Sequence, residues 1–160
     1  MAPSPESNIG MLRHAVATLA YRAGKALRGA PEEFSSFAIA EPRTPGRILA
    51  HLCDLFDWAL SLANGAQEWR NSEVGSWEAD SARFFETLQA FDRRLADATP
   101  LSCDPERLFQ GPVADALTHV GQIAMLRRLA GVPISGENYF VAHVSVGRTG
   151  ADQSAPVYEF

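Results

Sequence analysis

Apolar residues recur at steps of three and four in four separate windows of this chain, and most of the windows begin and end on residues that start or stop helices. In the first, Ile9, Leu12, Val16, Leu19, Ala20, Ala23 and Leu27 form one stripe, with Ser7 as N-cap, and predict a helix from about Asn8 to Leu27. His14, Thr18, Tyr21 and Lys25 then fall on the opposite, solvated side. The second opens on Thr44 as N-cap with Pro45 at the first helical position and closes at Ala63 before Asn64-Gly65. Its stripe is Ile48, Leu52, Leu55, Trp58, Ala59 and Leu62. Ser76 caps the third, where Phe84, Leu88, Phe91 and Leu95 are apolar, Trp77 and Phe85 flank them, and the charges read as a solvated face. The fourth runs from Pro112 to Ala130, is stopped by Gly131 and Pro133, and carries Val113, Ala116, Leu117, Val120, Ile123 and Ala124 as its stripe. Asp115, His119, Gln122 and Leu126 form the ridge beside that stripe.

The connections differ in character. Arg28 to Arg43 loses the helical period, is broken by Pro31 and Pro42, and is long enough to need anchors, for which Phe34, Phe37 and Ile39 are the candidates. Ala66 to Gly75 is a polar loop anchored by Trp69, and Ala98 to Gln110 is a loop with one short helical turn after Asp104. Beyond Gly131, Phe140, Ala142, Val144 and Val146 alternate with Tyr139, Val141, His143 and Ser145, which predicts an extended segment laid on the bundle. Residues 1–6 and 148–160 read as loosely held ends. The expected fold is an all-α four-helix bundle with long crossovers and an extended C-terminal segment, one domain over 1–160.

Composition narrows the function classes. A domain of about 150 residues buries enough surface to fold without a disulfide or structural metal, so any metal here is expected to be functional. A net charge of −5 argues against a nucleic-acid surface. No apolar run approaches the roughly 20 residues of a membrane span, and no secretory leader precedes the first helix, so a cytoplasmic protein with no membrane partner is expected. Cys53 and Cys103 form no Cys-x-x-Cys arrangement and read as free thiols.

The candidate chemistry lies on the second and fourth helices. Asp115 and His119 are one turn apart, a spacing at which a carboxylate and an imidazole can close on one ion. His51 falls in line with Ile48, Leu55 and Trp58, so its imidazole is expected to point into the core. There it is either a core histidine bonded to a buried partner or a third ligand. A carboxylate facing it in low dielectric is costly unless paired. Gln122, one turn beyond His119, either orients a ligand or a water or serves as a core hydrogen-bonder.

Thr44-Pro45-Gly-Arg-Ile-Leu-Ala-His51-Leu, Thr118-His119-Val-Gly-Gln122-Ile and Leu126-Arg-Arg-Leu-Ala-Gly131-Val-Pro133 together resemble the DinB-like family of metal-binding four-helix bundles, over most of the chain. The resemblance implies up-down-down-up helices and a homodimer. It also implies a divalent metal held by a histidine of the second helix and a His-x-x-x-His pair of the last. His51 and His119 match; the remaining position is Asp115 here. Either Asp115 completes a two-histidine, one-carboxylate site suited to zinc, nickel, iron or manganese, or this branch holds a metal-free pocket with a His-Asp hydrogen bond. Some relatives are thiol-dependent transferases or isomerases. By that resemblance the chain is expected to act on a small-molecule substrate as an S-transferase, isomerase or hydrolase, with a low-molecular-weight thiol as a further cofactor. Glu137, Tyr139 and His143 are candidates to close over the site. The alternative is a non-enzymatic small-ligand or stress-response bundle without metal.

Overall fold

The computed structural model describes residues 5–39 and 43–160, with side chains from Asn8 onward. The fold is an all-α four-helix bundle, with helices α1 (Pro5–Leu27), α2 (Pro45–Ala63), α3 (Trp77–Ala96), the short α4 (Pro105–Leu108) and α5 (Ala114–Leu129). The five-residue π turn Phe109–Val113 joins α4 to α5, so the fourth arm is helical throughout from Pro105 to Leu129. None of the described helices is long and apolar enough to cross a membrane.

Local chemistry accounts for the ends. Thr44 Oγ1 accepts from the Arg47 amide and Pro45 stands at the first position of α2, while the Ser76 side chain accepts from the Ala79 amide at the start of α3. Gly65 and Gly131 take positive φ, +82° and +78°, just past α2 and α5. At the N-terminus the reading needs correction: α1 begins at Pro5, so Ser7 lies inside it rather than capping it. The expected leader residues 1–4 and the punctuating Pro42 lie outside the described residues.

Pairings between the arms fix their directions. Arg13 meets Asp92 and the Trp77 indole donates to the Leu27 carbonyl, so α1 and α3 run antiparallel. Asp54 meets Arg83 and the Ala63 carbonyl meets Arg94, so α2 and α3 run parallel. Asn8 meets Glu106 and the Ala26 carbonyl meets Arg127, which sets the fourth arm parallel to α1. The result is up-down-down-up. Phe56, Phe84, Phe91, Leu49, Leu52 and Leu88 fill the centre with no solvent exposure above 0%. Phe34, fully within the core, lies edge-on to Trp77 and pins the long α1–α2 connection through the short 3-10 turn Glu32–Ser36. Ile39 contributes no anchor, being 62% exposed.

Several polar assignments change. On α3, Asp80 and Asp92 are buried rather than solvated. Asp92 is held by both nitrogens of the Arg13 fork at 2.9 and 3.0 Å, and Asp80 accepts from the Gly75 amide at 2.9 Å. A helix face of mixed charge therefore hides two groups that have found partners on other elements.

The π turn corrects the expected start of the last helix, which is Pro105 rather than Pro112. Pro112 has no N–H and would break an α ladder in its interior. The Ala114 amide reaches back five residues to the Phe109 carbonyl, and the wider turn accommodates the proline.

After Gly131 the chain is largely without helix, with a 3-10 turn at Tyr139–Val141 and a hydrogen-bonded turn from Ser145 to Arg148, but the expected alternation of burial fails because Phe140 is 96% exposed. The last residues are not loose. Glu137 pairs with Glu159 in a single antiparallel bridge, the Phe160 amide donates to Gly136, the Asn138 amide donates to Tyr158, and Thr149 is buried. This segment covers Tyr21, which is therefore buried and not on a solvated side. Its hydroxyl donates to Glu137 at 2.6 Å, and burial followed by that bond pushes the phenol pKa upward.

Candidate metal centre

His51 sits near the middle of α2, and Asp115 and His119 sit on the first turns of α5. Antiparallel packing of those two helices brings the three side chains together, with one donor atom of each within 4.8 Å of the others. Asp115 stands between the imidazoles: Oδ2 is 3.5 Å from His51 Nε2, and Oδ1 is 3.4 Å from His119 Nε2. The two rings lie edge-to-face, their centroids 4.9 Å apart.

Depth differs across the cluster. The His119 side chain is 10% exposed, that of His51 36% and that of Asp115 47%. The expectation that His51 points into the core is thus corrected: its imidazole lies at the edge of the bundle. Asp115 at the rim keeps its hydration, so desolvation gives no reason for it to be paired. Spacing gives one instead. A well-formed N–H···O bond measures about 2.7–3.2 Å, and both His–Asp separations exceed that range. Donors bound to one tetrahedral ion at 2.0–2.1 Å stand about 3.3 Å apart. The two separations run to different oxygens of Asp115, and one donor atom from each of the three side chains lies within 4.8 Å of the others, so the cluster is close enough to converge on a shared cation.

Gln122 supplies a second part of the arrangement. It is exposed rather than a core residue, and its Oε1 lies 2.9 Å from His119 Nδ1. An amide oxygen only accepts, so Nδ1 carries the proton and the Nε2 lone pair faces Asp115 and His51. Such outer partners hold a ligating imidazole in the correct tautomer. Replacing Gln122 with Ala is expected to weaken zinc binding about tenfold to 100-fold without a change in helix content; competition with a chromogenic chelator, alongside circular dichroism, measures both.

Trp69 has a role that its position in a polar loop did not reveal. Its ring lies 5.6 Å from that of His51 and 5.8 Å from that of Trp58, forming an aromatic wall on one side of the centre. Asp54, buried one turn along α2 from His51, holds the loop that carries Trp69: it accepts from the Ser72 amide and hydroxyl at 2.8 and 2.6 Å and from Arg83 at 2.9 Å. Gly46 lets both connections cross the first turn of α2, since a Cβ there would collide with Ser35 and Val74. Only the Asp-x-x-Asp spacing of Asp54 and Asp57, both reached by Arg83, hinted at this support.

The other candidates lie elsewhere. Glu137 is engaged by Tyr21 and Lys25 of α1, Tyr139 packs on Tyr21 and under the Arg22 guanidinium, and His143 is exposed. None of the three closes over His51 and His119; the C-terminal segment is spent on covering α1. Burial pushes the Cys53 thiol up to about 12, and it donates to the Asp80 carbonyl, so it is protonated at neutral pH and no nucleophile. Cys103 is likewise a free thiol. No family model, curated protein or solved structure matches this chain.

Proposed function

We propose that the chain is a metal-dependent protein of the DinB-like kind, in which His51, Asp115 and His119 hold one divalent cation for chemistry on a small molecule. The convergence of one donor atom each from His51, Asp115 and His119 within 4.8 Å, with both His–Asp separations longer than good hydrogen bonds, carries this reading. The up-down-down-up order of the arms and the Gln122 contact to His119 support it. Three protein donors leave a position open for a water or a substrate atom. A divalent ion bound there lowers the pKa of a coordinated thiol or water and supplies a nucleophile at neutral pH. His119 and His51 contribute nitrogen donors, Asp115 contributes a carboxylate, and the Trp69 ring stands beside that of His51. This donor set suits zinc, nickel, iron or manganese, and a thiol transfer, isomerisation or hydrolysis fits the open position.

The test is metal-dependent stabilisation of the untagged protein. Zinc at 100 times its Kd adds about 2.7 kcal/mol, which raises Tm by about 5–11 °C for a chain of this size. A chelator should reverse the rise. No shift with any of the four metals would sink the proposal. A metal-free ligand-binding bundle is the second reading, favoured by an apolar cleft against Ile48, Met125 and Leu126; ligand stabilisation that survives chelation supports it.

A further inference from the structure

Three clefts meet at the metal centre. The middle one, about 280 Å³, is lined by Arg43, Arg47, Ile48, His51 and His119. It shares Arg43 and Ile48 with a cleft of about 480 Å³ whose far wall is Gly121, Met125 and Leu126. It shares Arg47 and His51 with a hydroxyl-bearing cleft of about 590 Å³ that contains Ser35, Ser36, Thr44 and Ser72. These volumes are those of small-molecule sites. Arg47 lies one helical turn before His51 on the same face of α2. Elsewhere in the fold Arg13 is engaged by Asp92, Arg83 by Asp54 and Asp57, and Arg127 by backbone carbonyls. Arg43 and Arg47 have no ion pair among the described residues, and both line the cleft over the two histidines.

We infer that this groove takes a small amphiphilic acid, its oxyanion between Arg43 and Arg47 beside the metal centre and its apolar body along Ile48, Met125 and Leu126. The charge argument sets the head: two guanidiniums present planar donor forks matched to a carboxylate or phosphate. The lining of the middle cleft holds no acid: Glu73 and Asp54 line the neighbouring hydroxyl-bearing cleft, where Asp54 is tied to Ser72 and Arg83, and the Asp115 carboxylate stands between the two histidines. The chemistry of the wall sets the tail, since Met125 is 54% exposed and its flexible thioether adapts to varied apolar shapes. That such an acid is a substrate rests on the metal-centre reading; that it binds does not.

Calorimetric titration of the full, metal-free chain with hexanoate tests the inference, with acetate, hexan-1-ol, octanoate and hexyl phosphate as comparison probes. Hexanoate should bind at least tenfold more tightly than hexan-1-ol, and each added methylene should gain about threefold to fourfold. Arg43→Gln with Arg47→Gln should lower hexanoate affinity at least tenfold and leave zinc affinity at the wild-type value. Hexyl phosphate binding more tightly than hexanoate supports the same head site with a phosphate preference. Equal binding of hexan-1-ol overturns the anion site, equal binding of acetate overturns the apolar tail site, and wild-type affinity in the double variant overturns the placement of the oxyanion between Arg43 and Arg47. If zinc fails to bind while hexanoate binds through the arginines, the metal reading falls and this one stands.

Discussion

Replacing His119 with Ala is expected to lower zinc affinity by more than about 100-fold, because loss of an outer partner alone costs about 10–100-fold and here a ligand itself is removed. His119 is the least exposed of the three donors, and its tautomer is held by Gln122, so it is the best oriented. Its removal leaves His51 and Asp115, two side chains more than a third exposed. Asp115→Asn should be nearly as damaging: the amide keeps the shape but loses the negative charge that a dication requires. Metal competition assays measure both, and the metal-free Tm of each variant should lie within a few degrees of the parent. Wild-type zinc affinity in His119→Ala would show that the cluster is spaced by packing alone.

The largest effect on stability is expected away from the site, at Arg127. Its buried guanidinium donates to the carbonyls of Ala26, Arg28 and Gly29 at 3.1, 2.7 and 3.4 Å and to its own arm at Val132, 2.9 Å. It thereby satisfies the C-terminal end of α1, where carbonyls have no helical partner, and ties that end to the end of α5. Burial, unopposed by any acid, lowers its pKa from the usual arginine value, but not into a range where it loses its proton near neutrality. Arg127→Met keeps the stem and removes every donor. Carbonyls left buried and unsatisfied cost about 1–3 kcal/mol each, so a loss of about 3 kcal/mol is expected, or roughly 6–12 °C in Tm. Thermal unfolding of the metal-free protein checks it. A change below about 1 kcal/mol would mean that water reaches those carbonyls.

The arms of this fold were legible because their ends carry local chemistry. Thr44-Pro45, Asn64-Gly65, Ser76 and Gly131 each act within one turn, and each marks an observed boundary. The His51–Asp115–His119 cluster was legible for a related reason: two of its members share one helix at a spacing that only a helix makes adjacent, and the third lies at a fixed phase on α2. What escaped depends on partners that lie on other elements. Tyr21 looked solvated because Glu137, its partner, is 116 residues away. Asp80 and Asp92 looked like surface charges because Gly75 and Arg13 approach them from other elements. Trp69 could be placed as an anchor, but which ring it would face depended on how Asp54 folds its loop back. His51 was expected deeper than it is because its alignment with the α2 stripe ignored the width of the groove between α2 and α5.

The π turn before α5 has a rotational consequence. In an uninterrupted α-helix Leu108 and Asp115, seven residues apart, would face the same way to within about 20°. Leu108 is fully buried, so a straight continuation would turn the Asp115 carboxylate inward. The extra residue taken up in the wide turn delays the helix by about 100°. Ala116 inherits the inward direction, with 0% exposure, and Asp115 swings to the rim beside His51. One inserted residue thus works as an angular offset between two halves of a single arm: the lower half is phased to the core, and the upper half is phased to the rim where Asp115 meets His51.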